Sequence, residues 1–217
     1  MGGCCEPQGY DAMFGARFAR HLARRYRKRG LDKTAARMVA FLAANGLQGA
    51  SVLEIGGGVG DIQLELLERG ASRATNLELV DSYDADARAL ASEAGLEGRM
   101  TRRQLDIATT PDAVERHDIV LLHRVVCCYP DYQRLLSAAA DHAGRALVFS
   151  YPPRNLVTRC LLAGDNLISW IRRRAFRAYV HDPDAMMAVA ARSGRLRPTY
   201  RHRGWIWHIA GFTAQPD

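Results

Sequence analysis

The sequence predicts an α/β fold, with a mostly parallel seven-stranded sheet between two layers of helices. Three observations lead to this prediction. Strand-like and helix-like segments alternate from residue 51 to residue 150, which is the order that produces parallel strands. The segment Asp118–His123 is apolar throughout its interior, as a strand buried on both faces must be. A glycine-rich turn joins the first strand to the helix that follows it.

Two basic helices precede the sheet. Helical spacing runs from Ala12 to Arg29, and Gly30 suits the end of this helix. Asp32 is placed to cap a second helix over Lys33–Asn45, which ends at a glycine. The first helix carries one apolar stripe, made of Phe14, Phe18, Leu22 and Tyr26.

The central part of the chain supplies five strands and three helices. The predicted strands are Ser51–Ile55, Ala74–Leu79, Met100–Leu105, Asp118–His123 and Ala146–Ser150. The predicted helices are Asp61–Arg69, Ser82–Ala94 and Tyr132–His142. Each helix crosses over between two parallel strands.

The last part of the chain is expected to add two helices and an antiparallel pair of strands. The helices are predicted over Arg154–Phe176 and Pro183–Ser193. The strands are predicted over Leu196–His202 and Trp205–Phe212, so that the sheet ends in an antiparallel strand. Alternation would then place Trp205 and Trp207 on one face of the last strand.

Charge divides the chain into a basic start, an acidic centre and a basic end. Residues 1–50 hold nine Lys/Arg against three Asp/Glu, and residues 151–217 hold eleven against four. Residues 51–150 hold ten Lys/Arg against sixteen Asp/Glu. We therefore expect residues 1–50 to form a basic helical cap beside a main domain of residues 51–217.

Composition excludes a membrane-spanning protein and a disulfide-stapled secreted domain. No apolar run approaches the ~20 residues that a membrane span needs. The start of the chain carries arginines in place of a signal peptide's apolar core. The five cysteines are odd in number and include the adjacent pairs Cys4-Cys5 and Cys127-Cys128. We expect a cytoplasmic protein.

The turn after the first strand carries the most specific motif. Its pattern, Glu54-x-Gly56-x-Gly58-x-Gly60, resembles the first motif of class I S-adenosylmethionine-dependent methyltransferases. The dinucleotide fingerprint G-x-G-x-x-G fits worse, because its last position falls on a residue other than glycine. The resemblance implies a Rossmann-like three-layer fold over residues 51–217 and S-adenosyl-L-methionine as the cofactor.

The resemblance also implies which residues hold the cofactor. The methionine part would lie on the glycine turn at the start of a helix, where backbone N–H groups are free. A carboxylate at the end of the second strand would bind the ribose, and an acidic residue after the third strand would bind the adenine. The residues at these places are Glu54, Gly56, Gly57, Gly58, Gly60, Glu78, Leu79, Asp106 and Ile107.

The segment after the fourth strand borders the transferring methyl group in this family. His123 is the candidate for contact with the cofactor or for a general base, and Tyr129 is the second catalytic candidate. A strand-end histidine bonded to the backbone is the equally weighted alternative for His123. Adjacent cysteines do not match the usual spacing of zinc ligands, so no metal site is predicted. Buried thiols are favoured over a metal or soft-substrate site formed by Cys4-Cys5 and Cys127-Cys128.

The basic segments at the two ends of the chain, residues 1–50 and 151–217, bear on the chemistry of the methyl acceptor. They favour a small anionic acceptor, which arginine recognises through paired hydrogen bonds. Nucleic acid, an anionic membrane surface met by the first helix, and an ordinary solvated basic face are the alternatives. The layout is similar to that of magnesium-protoporphyrin O-methyltransferases, which implies a flat acceptor with carboxylates. Four aromatic residues suit such an acceptor: Trp170, Tyr179, Trp205 and Trp207.

Overall fold

The computed structural model describes residues 9–215, apart from the side chains of Asp11 and Ala12. The strands are β1 Ser51–Ile55, β2 Arg73–Glu78, β3 Met100–Gln104, β4 His117–Leu122, β5 Ala143–Tyr151, β6 Leu196–Arg203 and β7 His208–Ala214. The helices are α1 Tyr10–Met13, α2 Ala16–Arg29, α3 Lys33–Ala43, α4 Asp61–Glu68, α5 Asp84–Glu93, α6 Tyr132–His142, α7 Leu156–Ile171 and α8 Pro183–Ala190. Short 3-10 turns at Asp81–Tyr83, Glu97–Arg99, Pro111–Ala113 and Val126–Cys128 link several of them.

The seven strands form one sheet in the order β3-β2-β1-β4-β5-β7-β6. The pairs from β3 to β5 are parallel, and β7 runs antiparallel to both β5 and β6. The predicted fold class is therefore confirmed, including the antiparallel strand near the end of the chain. The order reverses between β1 and β4, and in open α/β sheets ligands bind in the crevice at such a point.

Helices cover both faces of the sheet, because neighbouring strand residues point to opposite sides. Val52 and Ile119 pack in one cluster with Met38 and other residues of the first helices. Leu53 and Val120 pack in the other cluster, with residues of α6 and α8. The predicted cap shares the first cluster with β1 and β4, and its boundary at residue 50 stays a prediction.

The first helical segment differs from the prediction. The continuous helix expected over Ala12–Arg29 is interrupted, since Gly15 is extended and begins α2 as its N-cap. The aromatic side chain of Phe14 lies at this break and lines a cavity described below. Glycine has a low helix propensity, which explains why the interruption falls there.

The last part of the chain also differs. The long helix ends at Ile171 and not at Phe176, because Arg173 adopts a left-handed conformation (φ 52°). Trp205 and Trp207 lie in the connection between β6 and β7, so the predicted strand over Trp205–Phe212 is wrong at its start. Among residues 9–215, no helix is long and apolar enough to cross a membrane.

Candidate active site

A cavity of about 220 Å³ lies where β1, β2, β3 and β4 end. Its walls come from these strand ends, from α1 and α2, and from the turn over residues 123–129. Ten of the predicted site residues line it: Glu54, Gly56, Gly57, Gly58, Glu78, Leu79, Asp106, Ile107, His123 and Tyr129. The fold thus brings together residues that the sequence predicts to share a site.

The glycine turn leaves no room for side chains at its first two positions. A Cβ atom on Gly56 would lie 2.5 Å from Cγ2 of Val125, and Gly56 has a φ of 67°. A Cβ atom on Gly57 would lie 2.6 Å from Oε2 of Glu54. Gly60 is outside the cavity lining and serves as the left-handed N-cap of α4 (φ 79°). Side chains at the first two positions would therefore collide with the protein's own atoms, so only glycine allows this packing of the turn.

Glu78 holds the turn from the end of β2. Its Oε2 accepts a hydrogen bond from the N–H of Gly58 at 3.0 Å, and its Oε1 accepts one from the N–H of Leu79 at 2.9 Å. Burial raises the pKa of Glu78, and these two amides act in the opposite direction. Each carboxylate oxygen keeps a lone pair for a further donor, such as a ribose hydroxyl.

Two carboxyl groups flank the start of α4, the buried Glu54 and the half-buried Asp61. Oε2 of Glu54 is buried and has no hydrogen-bond partner among the residues that the structure describes. Burial raises the pKa of Glu54 well above its usual value, and the nearby charge of Asp61 raises it further. Burial also raises the pKa of Asp61, which lines the same cavity. A cationic ligand group here would favour the ionised form of these carboxyl groups, which burial disfavours.

Asp106 and Tyr129 lie together on another wall. The hydroxyl of Tyr129 donates to Oδ2 of Asp106 at 2.8 Å, and the N–H of Ala108 donates to Oδ1 at 3.0 Å. Tyr129 itself is buried. The hydroxyl of this catalytic candidate is thus directed at the predicted adenine-binding carboxylate.

His123 lies just beyond the end of β4, with both ring nitrogens engaged. Its Nδ1 is 3.1 Å from Oγ of Ser150, and its Nε2 is 3.5 Å from Oδ2 of Asp32. The same Ser150 hydroxyl oxygen accepts from the N–H of Arg124 at 2.9 Å. In this arrangement His123 holds β4, β5 and the start of α3 together. Acting as a base would require one of these contacts to be released.

Asp32 is shared by several cationic groups. Its Oδ2 accepts from Arg124 at 2.6 Å and lies 3.5 Å from a nitrogen of Arg25. Burial alone would raise the pKa of Asp32, but the hydrogen bonds from His123 and from backbone, together with the charge of Arg124, lower it. The Arg124 guanidinium stacks 5.2 Å from the ring centre of Trp207. Two arginines on one carboxylate leave this wall of the cavity positive.

The first two helices close the cavity with aromatic side chains. The hydroxyl of Tyr10 donates to the carbonyl oxygen of Cys128 at 2.8 Å. The ring of Phe14 packs edge-on against Phe176 and also contacts Phe18. The apolar stripe of α2 thus contributes Phe18 and Leu22 to the cavity lining, although Phe18 is also partly exposed to solvent.

The cysteine pair beside the cavity is compact. The sulfurs of Cys127 and Cys128 lie 3.6 Å apart, and each is 3.7 Å from the carbonyl oxygen of Arg124. The hydrogen bond with Cys127 and burial both raise the pKa of Cys128. Cys4 and Cys5 lie outside the described residues, so the preference for buried thiols over a site shared by the two pairs stays a prediction. Within residues 9–215, no three His, Cys, Asp or Glu side chains are grouped to hold a metal.

Three contributions were missed by sequence reasoning. Arg102 on β3 donates to the carbonyl oxygen of Gly58 at 2.8 Å, and Asn76 on β2 accepts from the N–H of Gly57 at 3.2 Å. Arg124 lines the cavity beside Asp32. Nothing in the sequence separates Arg102 from its neighbour Arg103. A signal for Asn76 existed, since a polar residue in the middle of a central strand needs a partner.

Residues 53–143 match a family model described as a methyltransferase domain. Among solved structures, the magnesium protoporphyrin IX methyltransferase from Synechocystis PCC 6803 with bound SAH is 22% identical, with a TM-score of 0.68 and coverage of 84% of this chain and 83% of that one. An O-methyltransferase family protein from Burkholderia thailandensis is 16% identical (TM-score 0.70, coverage 96% and 64%). A putative RNA methyltransferase from Pyrococcus horikoshii is 15% identical (TM-score 0.58, coverage 83% and 83%). No curated protein matches the sequence.

Proposed function

We propose that this chain is an S-adenosylmethionine-dependent methyltransferase of the class I, Rossmann-like type, and that it methylates a small anionic acceptor with a flat, apolar part. The observation that carries the proposal is the wall where Arg25 and Arg124 share Asp32. This positive wall lies in the same cavity as the aromatic side chains of Tyr10, Phe14 and Phe18. The carboxyl groups of Glu54, Asp61, Glu78 and Asp106 also line the cavity, and we assign Glu54, Glu78 and Asp106 to the cofactor. A cytoplasmic location is part of the same proposal.

The cavity residues fit the cofactor. The unpartnered Oε2 of Glu54, with the turn over Gly56–Gly58, suits the amino group and carboxylate of its methionine part. We assign Glu78 to the ribose hydroxyls and Asp106, with Ile107, to the adenine. Leu79 adds apolar contact at the ribose end. When bound, the cofactor supplies an electrophilic methyl group on a sulfonium centre.

The chain's own residues then orient the acceptor and exclude water. Tyr10, Phe14 and Phe18 form an apolar wall, on which a flat acceptor would lie. Arg124 and Arg25 would bind its anionic group and so fix the distance and angle for transfer. His123 keeps Asp32 and the end of β4 in place. Tyr129 acts through Asp106, as a positioning residue.

The proposal is tested with acceptors offered as pairs, each a carboxylate and its methyl ester, alongside magnesium protoporphyrin IX. We expect transfer to a carboxylate-bearing acceptor, and loss of about tenfold or more in kcat/KM when Arg124→Gln removes one charged hydrogen bond. Arg29→Gln, an exposed change at the end of α2, is the matched control. S-adenosylhomocysteine affinity should be unchanged in both variants. Equal use of acid and ester by the native chain would contradict an anionic acceptor.

RNA is the alternative acceptor, and one observation favours it. Arg17, Arg20 and Arg24 are exposed along α2, away from the cavity. A row of exposed arginines suits a phosphate backbone, and binding to it weakens steeply as salt is added. Methyl transfer to RNA that falls with salt, with no transfer to any small acceptor, would replace the small-molecule proposal.

A further inference from the structure

The outer face of α7 is the most unusual surface of the molecule. Of its sixteen residues only Ser169 is buried. Large apolar side chains are instead exposed along its whole length: Leu156, Val157, Leu161, Leu167, Ile168, Trp170 and Ile171. Single exposed apolar residues are ordinary, but a continuous row of them marks a surface that contacts something.

These side chains form one face. In a projection down the helix axis, with about 100° per residue, Trp170 and Leu161 lie at the two ends of an arc. This arc covers about half of the circumference and contains no charged or amide side chain. Arg159 and Arg172 lie at the two borders of this arc. The opposite side of α7 is fixed to the protein through Asn166. Its Nδ2 donates to the carbonyl oxygen of Ala178, and its Oδ1 accepts from the N–H of Ala178, both at 2.8 Å. The helix is therefore held with its apolar face outward.

A second exposed apolar group lies at the same edge of the sheet. Trp205 is 98% exposed and Ile206 is 67% exposed, in the connection between β6 and β7. The register pairs Tyr151 at the end of β5 with His208 at the start of β7. The connection before β7 thus lies at the edge where the chain leaves β5 for α7. We call α7's apolar face and Trp205–Ile206 the outer apolar surface.

The outer apolar surface has a basic border. Arg154 and Arg159 lie at or near the first turns of α7, and Arg172 and Arg173 follow its last turn. Across residues 151–217 the formal charge is +7, from eleven arginines and four aspartates. Two copies related by a twofold axis would bring these arginines together, and like charges repel. A partner with an apolar interior and an anionic rim fits better.

We propose that the outer apolar surface docks the enzyme on an anionic lipid bilayer. An interfacial helix buries its apolar face at the headgroup boundary and keeps arginines among the anionic headgroups. Exposed tryptophans are favoured at that depth. Trp207, which follows the exposed turn, stacks on Arg124 of the cavity wall. Docking would therefore bring the cavity close to the bilayer surface.

The test is co-sedimentation of the full chain with vesicles of phosphatidylglycerol and phosphatidylcholine in equal parts, and with phosphatidylcholine alone. We expect binding to the anionic vesicles and a shift of tryptophan emission to shorter wavelength. The double variant Leu161→Glu/Ile168→Glu should lower the partition coefficient by about tenfold or more. The control is Ala36→Glu/Ala40→Glu, which adds the same charges at exposed positions on α3. Circular dichroism checks that both variants are folded.

Three results would overturn the proposal. One is an absence of vesicle binding by the native chain. Another is an equal loss of binding in both double variants, which would mean that bulk charge alone attracts the protein. The third is a dimer, seen by light scattering, that Leu161→Glu/Ile168→Glu separates while vesicle binding is unaffected. Should the glutamate variant fail to fold, Trp205→Ser, at a nearly fully exposed position, replaces it.

Discussion

At the scale of single residues, Glu54 is expected to lower the folding stability of the cofactor-free protein and to strengthen cofactor binding. Its side chain is buried at the end of β1, and its Oε2 has no partner among residues 9–215. Burial raises its pKa, so the folded chain holds the proton more firmly than the unfolded chain does. Its contribution to stability is present at low pH and is lost as pH rises through that raised pKa.

Glu54→Gln should therefore stabilise the cofactor-free protein at alkaline pH, because glutamine resembles the protonated acid. The stability gain over the native chain should grow as pH rises above the usual glutamate pKa. Binding of S-adenosylhomocysteine should weaken by about tenfold or more, since a charged hydrogen bond is lost. Denaturant unfolding at several pH values and calorimetric titration measure the two effects. Glu97→Gln, at an exposed position, should change neither.

Glu78→Ala tests the proposed ribose contact. Removing this carboxylate should weaken S-adenosylhomocysteine binding by ~1–3 kcal/mol, because a charged acceptor is lost and the N–H of Gly58 loses its partner. Calorimetry measures the change, with Glu97→Ala as the matched control. Unchanged affinity would remove Glu78 from the site.

At the scale of elements, Asp32 joins two parts of the fold. Its Oδ1 caps α3 by accepting from Thr34 and Ala35, and its Oδ2 reaches Arg124 beyond β4. Capping was predictable from sequence, because aspartate directly before a helix is a common N-cap residue. The ion pair was not predictable, since it spans 92 positions in the chain.

Asp32→Asn separates these two roles, because asparagine keeps a capping oxygen but loses the charge. The free energy of unfolding should fall by ~1–3 kcal/mol at neutral pH, the usual cost of losing a hydrogen bond to a charged group. The pKa of Asp32 is lowered, so its contribution exists above the usual aspartate pKa and is lost as pH falls. Denaturant unfolding at neutral and acidic pH measures the difference.

Asp182 offers a matched control. It caps α8 and bonds Arg154 in the same manner, but both side chains are more exposed. Asp182→Asn should cost less, because exposed ion pairs contribute little. An equal loss in both variants would show that the Asp32 network adds nothing beyond a cap.

Elements were predictable where the chain carries a local signal for their ends. Ser51–Ile55 and Tyr132–His142 were placed to the residue, since glycine follows the first and Asp131 caps the second. The end of α7 carries neither glycine nor proline, and the prediction overran it by five residues as far as Phe176. Trp205–Trp207 alternates like a strand, but the partner pairing that would make it one is absent from the described sheet.

At the scale of the whole molecule, ligand binding should stabilise the fold. A ligand that binds only the folded state adds ~2.7 kcal/mol at a concentration one hundred times its Kd. S-adenosylhomocysteine should therefore raise the melting temperature in a concentration-dependent way, as measured by calorimetry. NAD is the control, because the glycine turn lacks the dinucleotide spacing. Stabilisation by NAD, with none by S-adenosylhomocysteine, would contradict the cofactor assignment.

The candidate site was predictable to the extent that it follows strand ends. Glu54, Glu78 and Asp106 belong to or follow β1, β2 and β3, and parallel strands deliver such residues to one edge. The cavity wall of Arg25 and Arg124 required knowledge of how the cap packs across that edge. This depends on tertiary contacts between distant segments, which single-sequence periodicity does not record.

The cavity is lined by segments that are far apart in the sequence. Its floor comes from residues 54–59, 61 and 62 around the glycine turn, from residues 77–79 and from residues 105–107. Its roof consists of Tyr10, Phe14 and Phe18, near the beginning of the chain. The ring of Phe176, from the last part of the chain, packs against Phe14. The hydrogen bonds of Gly57 and Gly58 in the floor are made with Asn76 and Glu78, and not with the roof. Under the proposed function, the choice of acceptor could thus be re-engineered by changing the roof alone, without touching the residues assigned to the cofactor.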